Sequence, residues 1–151
     1  MRQRRVMLAV ILGIASLASS AYAHHSHPYF YDECNSITIE GRVDRVEFKN
    51  PHTWIVLKLD DGTSYTVDWA PMSRLTSQDV IGPAKEALVF GARVVVTGNR
   101  IRPVAQIREH FPDFTSEVNP NTVDPISIRR VGDSFSWALP PRANAPKCDG
   151  K

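Results

Sequence analysis

The chain has 151 residues, with 18 Lys and Arg against 16 Asp and Glu, a formal net charge of +2 at pH 7 and 42% hydrophobic residues. This length suits one domain with a core of its own. Three of the arginines, Arg2, Arg4 and Arg5, lie within the first five residues; beyond residue 23 there are 15 basic and 16 acidic residues, a net charge of −1. That removes the phosphate-neutralising surplus on which nucleic-acid binding rests, so nucleic acid is not an expected partner.

The chain opens as a leader. A basic start is followed by the apolar run Val6 to Ala18 and then by Ala21-Tyr22-Ala23, the small-residue pattern that ends a secretory signal peptide. The 13 residues of the run are too few to cross a hydrocarbon core, which needs about 20 in a helix. Cleavage after Ala23 is expected, leaving 128 residues in the periplasm or outside the cell and no membrane span. The expected organisation is a signal peptide over 1–23, a His/aromatic segment over 24–35, a β domain over 36–138 and a flexible tail over 139–151.

Cleavage there makes His24 the first residue, with His25 and His27 close behind. An α-amine and an imidazole on one residue can chelate a single metal ion. Nitrogen donors of this type suit copper first, with zinc a weaker expectation. The alternative is a frayed tail whose histidines meet no metal. The aromatic run Tyr29-Phe30-Tyr31 is expected to dock on the domain and hold the histidines near it. Cys34 and Cys148 enter an oxidising compartment, where pairing is allowed but sequence cannot place their Cα atoms.

Ile37 to Phe48 alternates apolar and polar residues with one slip of phase around Gly41–Arg45, which reads as a long strand with a bulge. Asn50-Pro51 ends it. Thr53 to Trp69 is a hairpin whose register burial can decide. A two-residue Asp61-Gly62 loop would face Ile55 with Asp68. A three-residue Asp60-Asp61-Gly62 loop pairs Leu57 with Tyr65 and Ile55 with Val67, and only this gives one apolar face. It also sets His52, Trp54 and Asp68 on the other face near one end. Asp68 there could orient His52 as a metal ligand, in the manner of outer carboxylates; alternatively His52 simply completes the Asn-Pro turn. Trp54 is the candidate contact for a small-molecule or protein partner on an aromatic barrel face.

A short helix over Gln78–Ile81, capped by Thr76 or Ser77 and ended by Gly82-Pro83, is expected next, with a further helical turn over Ala84–Val89. A strand over Arg93–Thr97 stops at Gly98-Asn99. Residues 99–125 hold four prolines and read as a long surface excursion anchored by Phe111 and Phe114, with His110 solvated. Ile126–Arg130 and Phe135–Ala138 form a closing hairpin around Gly132.

These elements amount to an all-β fold, a small, partly open OB-like barrel of five or six antiparallel strands with one short helix. His24-His25-Ser26, the block Gly41-Arg42-Val43-Asp44-Arg45-Val46-Glu47-Phe48-Lys49-Asn50-Pro51-His52, a Trp at 69 and the strand Gly91 to Gly98 resemble a family of small exported bacterial proteins catalogued as a domain of unknown function. The resemblance spans about residues 24–100. It implies the fold and the export, and supplies no activity. Neither a Ser/His/Asp set, a nucleotide loop nor a Cys-x-x-Cys motif is read from the chain, so a binding protein is expected rather than an enzyme.

Overall fold

A computed structural model of the chain describes residues 27–140 and residue 148. A single helical turn, α1 (His27–Phe30), leads into β1 (Tyr31–Glu47). Then follow β2 (Thr53–Lys58), β3 (Ser64–Trp69), α2 (Met72–Ser77), α3 (Ile81–Ala87), β4 (Arg93–Ile101), α4 (Val104–His110), β5 (Thr122–Arg130) and β6 (Ser136–Ala138).

The hydrogen-bonded order is β3-β2-β1-β4-β5-β6, and β3 also pairs with β5. This last ladder is parallel and short, Thr66 with Thr122 and Val67 with Val123, and it joins the sheet into a ring. Five strands in the cyclic order β1-β2-β3-β5-β4, with β6 appended to β5, make the OB-like barrel. Ile55, Leu57, Val67, Val94, Val96 and Ile128 fill it with no exposed surface, and Val43, Trp69 and Val123 are at 1%. Each such side chain contributes about 1.5–3 kcal/mol of apolar burial.

The hairpin register follows burial. Ile55 faces Val67 and Leu57 faces Tyr65. The loop Asp60-Asp61-Gly62 closes with Gly62 N–H on the Leu59 carbonyl and φ of +86° at Gly62, a conformation that glycine adopts without a Cβ penalty. The phase slip in β1 is a bulge: Val43 faces Leu57 and Arg45 faces Val56, leaving Asp44 extra. This strand begins at Tyr31, six residues before the apolar alternation that marks it in the sequence, with a second irregularity between Asp32 and Ser36.

Among the described residues there are four short helices instead of one. The segment over Gln78–Ile81 is not the helix expected; α2 ends at Ser77, and α3 starts at Ile81 and runs through Gly82-Pro83. Pro83 lies in the first turn of α3, where its missing N–H has no helical acceptor to serve, so proline does not break the helix there. Both helices join the core through Leu75, Ala84 and Ala87.

Gly98-Asn99 does not stop β4, which continues to Ile101. A Cβ at Gly98 would lie 2.5 Å from the Asp124 carbonyl oxygen, so this glycine permits a close crossing of β4 and β5 rather than a turn. The excursion over 99–125 also holds structure: α4 buries Ile107, and β5 starts at Thr122. Cys34 and Cys148 are joined in a disulfide with Cα atoms 5.4 Å apart. The remaining expectations for the tail beyond residue 140 fall outside the described residues. Among the described residues, no helix is long and apolar enough to cross a membrane.

Candidate functional site at the barrel mouth

The N-terminal segment is held to the barrel by its aromatics. Phe30 stacks on Phe111 at 5.4 Å between centroids and meets Phe114 edge-on at 5.5 Å, while Tyr29 contacts His110 and Phe111. Aromatic pairs of this type add about 0.5–1.5 kcal/mol each beyond their burial. Arg102 secures the same turn: its backbone N–H donates to the Phe30 carbonyl at 2.7 Å and its Nε to the Pro28 carbonyl at 3.2 Å. His110, expected to be solvated, lies exposed at the end of α4 against Tyr29.

This docking puts Tyr31 inside the barrel mouth. Tyr31 is 4% exposed, and its hydroxyl donates to Asp68 Oδ2 at 2.5 Å. The other carboxylate oxygen, Asp68 Oδ1, accepts from His52 Nδ1 at 2.5 Å. A carboxylate can only accept, so the hydrogen sits on Nδ1 and neutral His52 keeps a lone pair on Nε2. The Asn50-Pro51-His52 turn is itself pinned to α2, with Ser73 N–H on Asn50 Oδ1 at 3.2 Å and Met72 N–H on the Lys49 carbonyl at 3.2 Å. His52 stacks on Trp54 at 5.8 Å, and Trp54 faces Asp68 across the β2–β3 ladder. Trp54 is half-buried rather than openly exposed.

A second imidazole–carboxylate pair stands beside the first. His27 Nε2 lies 3.1 Å from Asp124 Oδ1, and the His27 ring packs on Tyr31 at 4.8 Å. With the hydrogen on Nε2, the remaining nitrogen of neutral His27, Nδ1, is a lone-pair donor. It is buried and has no hydrogen-bond partner, as is Asp124 Oδ2. An unsatisfied buried polar atom costs about 1–3 kcal/mol, which makes His27 Nδ1 a notable feature of the site.

Burial dominates the electrostatics. It pushes the Asp68 carboxyl above its ordinary range, against the opposing hydrogen bonds of Tyr31 and His52. Burial, and then the charge of Asp68, push the Tyr31 phenol far up, so it stays protonated and donating.

His27, Tyr31, His52, Trp54 and Asp68 line one cleft of about 1030 Å³, walled also by Phe30, Arg74, Ile101, Phe114 and Glu117. His24 and His25 lie outside the described residues. Among the described residues, no group of three or more His, Cys, Asp or Glu converges as a metal site would. Two imidazoles with their orientation set by buried carboxylates are nevertheless suited to ligation, because this is how outer carboxylates prepare metal-binding histidines. Tyr31 and Asp124 are participants that the sequence pattern does not reveal. Tyr31 belongs to an aromatic run readable only as docking, and Asp124 precedes Pro125 in a segment without apolar alternation.

No curated protein matches the chain. A chain in the crystal structure of the S. pombe Stn1–Ten1 complex is similar to it at 15% identity and a TM-score of 0.43, over 65% of this chain and 59% of that one. The present chain thus spans less than two thirds of that structure. On the evidence of a match over residues 11–106, which hold His27, Tyr31, His52 and Asp68, the chain belongs to the family of unknown function DUF6152.

Proposed function

We propose that this is an exported, periplasmic binding protein that takes a copper ion at the barrel mouth. The α-amine and imidazole of His24, exposed by cleavage after Ala23, supply two nitrogens, and His52 Nε2 supplies the third. His27 Nδ1 stands in reserve, and His25 can substitute for His52. The reading is carried by one observation: Asp68 holds His52 through Nδ1, leaving Nε2 for a ligand in the cleft that His27 also lines. His24 is three residues from His27, a reach of at most about 10–11 Å between Cα atoms. Zinc is the weaker candidate, since Cu(II) leads the affinity order for such donors.

The test is a titration of Cu(II) and Zn(II) into the mature protein and into a form carrying one extra residue before His24. Tight Cu(II) binding by the native form and weak binding by the extended form support the site. Equal affinity of the two forms removes His24 from it.

A second reading has its own observation. The cleft is far larger than a metal ion requires and reaches the size range of small-molecule sites, roughly 300–1,000 Å³. Its walls include Phe30, Trp54, Ile101 and Phe114, so the same mouth suits an organic ligand. A fold of this type does not itself name that ligand.

A further inference from the structure

One continuous run of contacts links the polar side chains at the cleft. The Trp54 ring stacks on His52 at 5.8 Å, and His52 and Tyr31 each meet Asp68 at 2.5 Å. The Tyr31 ring lies 4.8 Å from that of His27, and His27 Nε2 is 3.1 Å from Asp124 Oδ1. Asp68 and Asp124 are each only 8% exposed. Among the described residues no Lys or Arg pairs with either; their partners are a phenol and two imidazoles. Burial first, and also the charge of Asp124, push the Asp68 carboxyl up, so the two carboxylates act on one another. Buried anions without a full counter-charge are costly, and Asp124 Oδ2 has no hydrogen-bond partner. The open end of this run is His52. Its side chain is 44% exposed, it lines the cleft, and its Nε2 is unpartnered.

We propose that the cleft binds an organic ammonium ion with an apolar body, which donates an N–H to His52 Nε2. The proposal rests on the second reading, in which the cleft is a small-molecule site. It concerns the protein free of copper, since copper would use the same Nε2. A neutral imidazole whose Nδ1–H is held by a carboxylate is a strengthened acceptor at Nε2. The positive charge of the ligand supplies what the two buried carboxylates lack. Trp54, beside the imidazole, adds the π face that ammonium ions favour. Phe30, Ile101, Phe114 and Val118 line the same cleft and suit an apolar body. An anion meets the field of Asp68 and Asp124 unfavourably, and a neutral alcohol gains only the hydrogen bond. The exposed Arg74 and Glu117 add one charge of each sign and leave that balance unchanged.

The test is isothermal titration at pH 8 of the mature chain, stripped of metal by a chelator that is then removed. At that pH an ordinary imidazole, at about 6.5, is neutral, and an alkylamine, at about 10.4 as in lysine, keeps its charge. The ligands are phenethylamine, phenethyl alcohol, 3-phenylpropionate, phenethyltrimethylammonium and methylamine. Saturable binding of phenethylamine is expected, with no binding of methylamine. The alcohol and the acid should be weaker by about tenfold or more, as for hydrogen bonds to charged groups. The trimethyl cation has the charge but no N–H, and its affinity should fall between. His52→Phe keeps a ring beside Trp54 and removes the acceptor. It should bring phenethylamine down to the level of the trimethyl cation and leave that cation unchanged. Asp68→Asn should weaken both cations, with circular dichroism verifying the fold of each variant. If the alcohol binds as tightly as the amine, the cleft is an apolar ligand site and the ammonium assignment is wrong. If the amine and the trimethyl cation bind alike and His52→Phe changes neither, His52 is not the acceptor and the proposal fails. If no ring compound binds, the small-molecule reading fails with it. The protein is metal-free throughout, so none of these outcomes bears on the copper site.

Discussion

Tyr31 and Asp68 stand 37 residues apart and share a 2.5 Å hydrogen bond inside the barrel mouth. The bond joins the docked N-terminal segment to the β2–β3 hairpin, and the remaining oxygen of Asp68 orients His52. Removing the hydroxyl with Tyr31→Phe keeps the ring and strips one donor from a buried carboxylate, which costs about 1–3 kcal/mol. Urea unfolding of the variant is expected to show a lower midpoint at unchanged slope. A midpoint equal to that of the native chain would falsify the claim that this bond supports the fold.

Burial raises the carboxyl of Asp68, so the folded state holds its proton more tightly than the unfolded chain does. The stability linked to this group is fully present below the unfolded value of about 3.9 and declines as pH rises from there through the raised folded value. Asp68→Asn cannot titrate. The stability of the native chain relative to Asp68→Asn should therefore fall with rising pH across that window, measured by denaturant unfolding at a series of pH values. A difference that grows with pH contradicts the direction assigned to burial.

The disulfide between Cys34 and Cys148 closes a loop of 115 residues counted inclusively. The chain-entropy model assigns such a loop roughly 4–5 kcal/mol. Protein recovered from the periplasm is expected to show no free thiols, and the double Cys34→Ser, Cys148→Ser variant to unfold at markedly lower denaturant. Two titratable thiols in the folded protein overturn the assignment.

Export predicts a unique start. Mass spectrometry of the periplasmic fraction should give a chain beginning at His24. An intact leader in that fraction defeats both the export reading and the α-amine ligand.

At the proposed site copper would compete with protons for the amine and the imidazoles, groups whose ordinary pKa values are about 7.7–8.0 and 6.5. Affinity should fall as pH drops from 8 toward 5. His24→Ala should weaken Cu(II) binding most and His52→Ala next. Asp68→Asn should cost roughly 10–100-fold through loss of His52 orientation. Unchanged Cu(II) affinity when the α-amine of His24 is blocked leaves only a loose histidine cluster at the N-terminus.

Much of the barrel is legible in the residues because local periodicity and burial agree there. Leu57 must face Tyr65 if one side of the hairpin is to be apolar, and it does. The bulge near Val43 appears as a slip of phase in the alternation. The errors arise where one residue type serves two purposes. Gly98 reads as a stop, yet the strand needs a glycine there because the Asp124 carbonyl lies where a Cβ would be. Gly82-Pro83 reads as a helix end, yet proline is at ease in a first turn.

The sequence by itself determined the strand pattern, the hairpin register and the grouping of His52, Trp54 and Asp68 near one end of it. These follow from the two-residue period of a strand and the requirement that one face be dry. Only the tertiary structure decided that Tyr31 reaches Asp68, that Asp124 backs His27 and that Arg74 and Glu117 look into one cleft. Those contacts join segments far apart along the chain, brought together by barrel closure through the β3–β5 ladder. No local period encodes which distant side chains such a closure sets face to face.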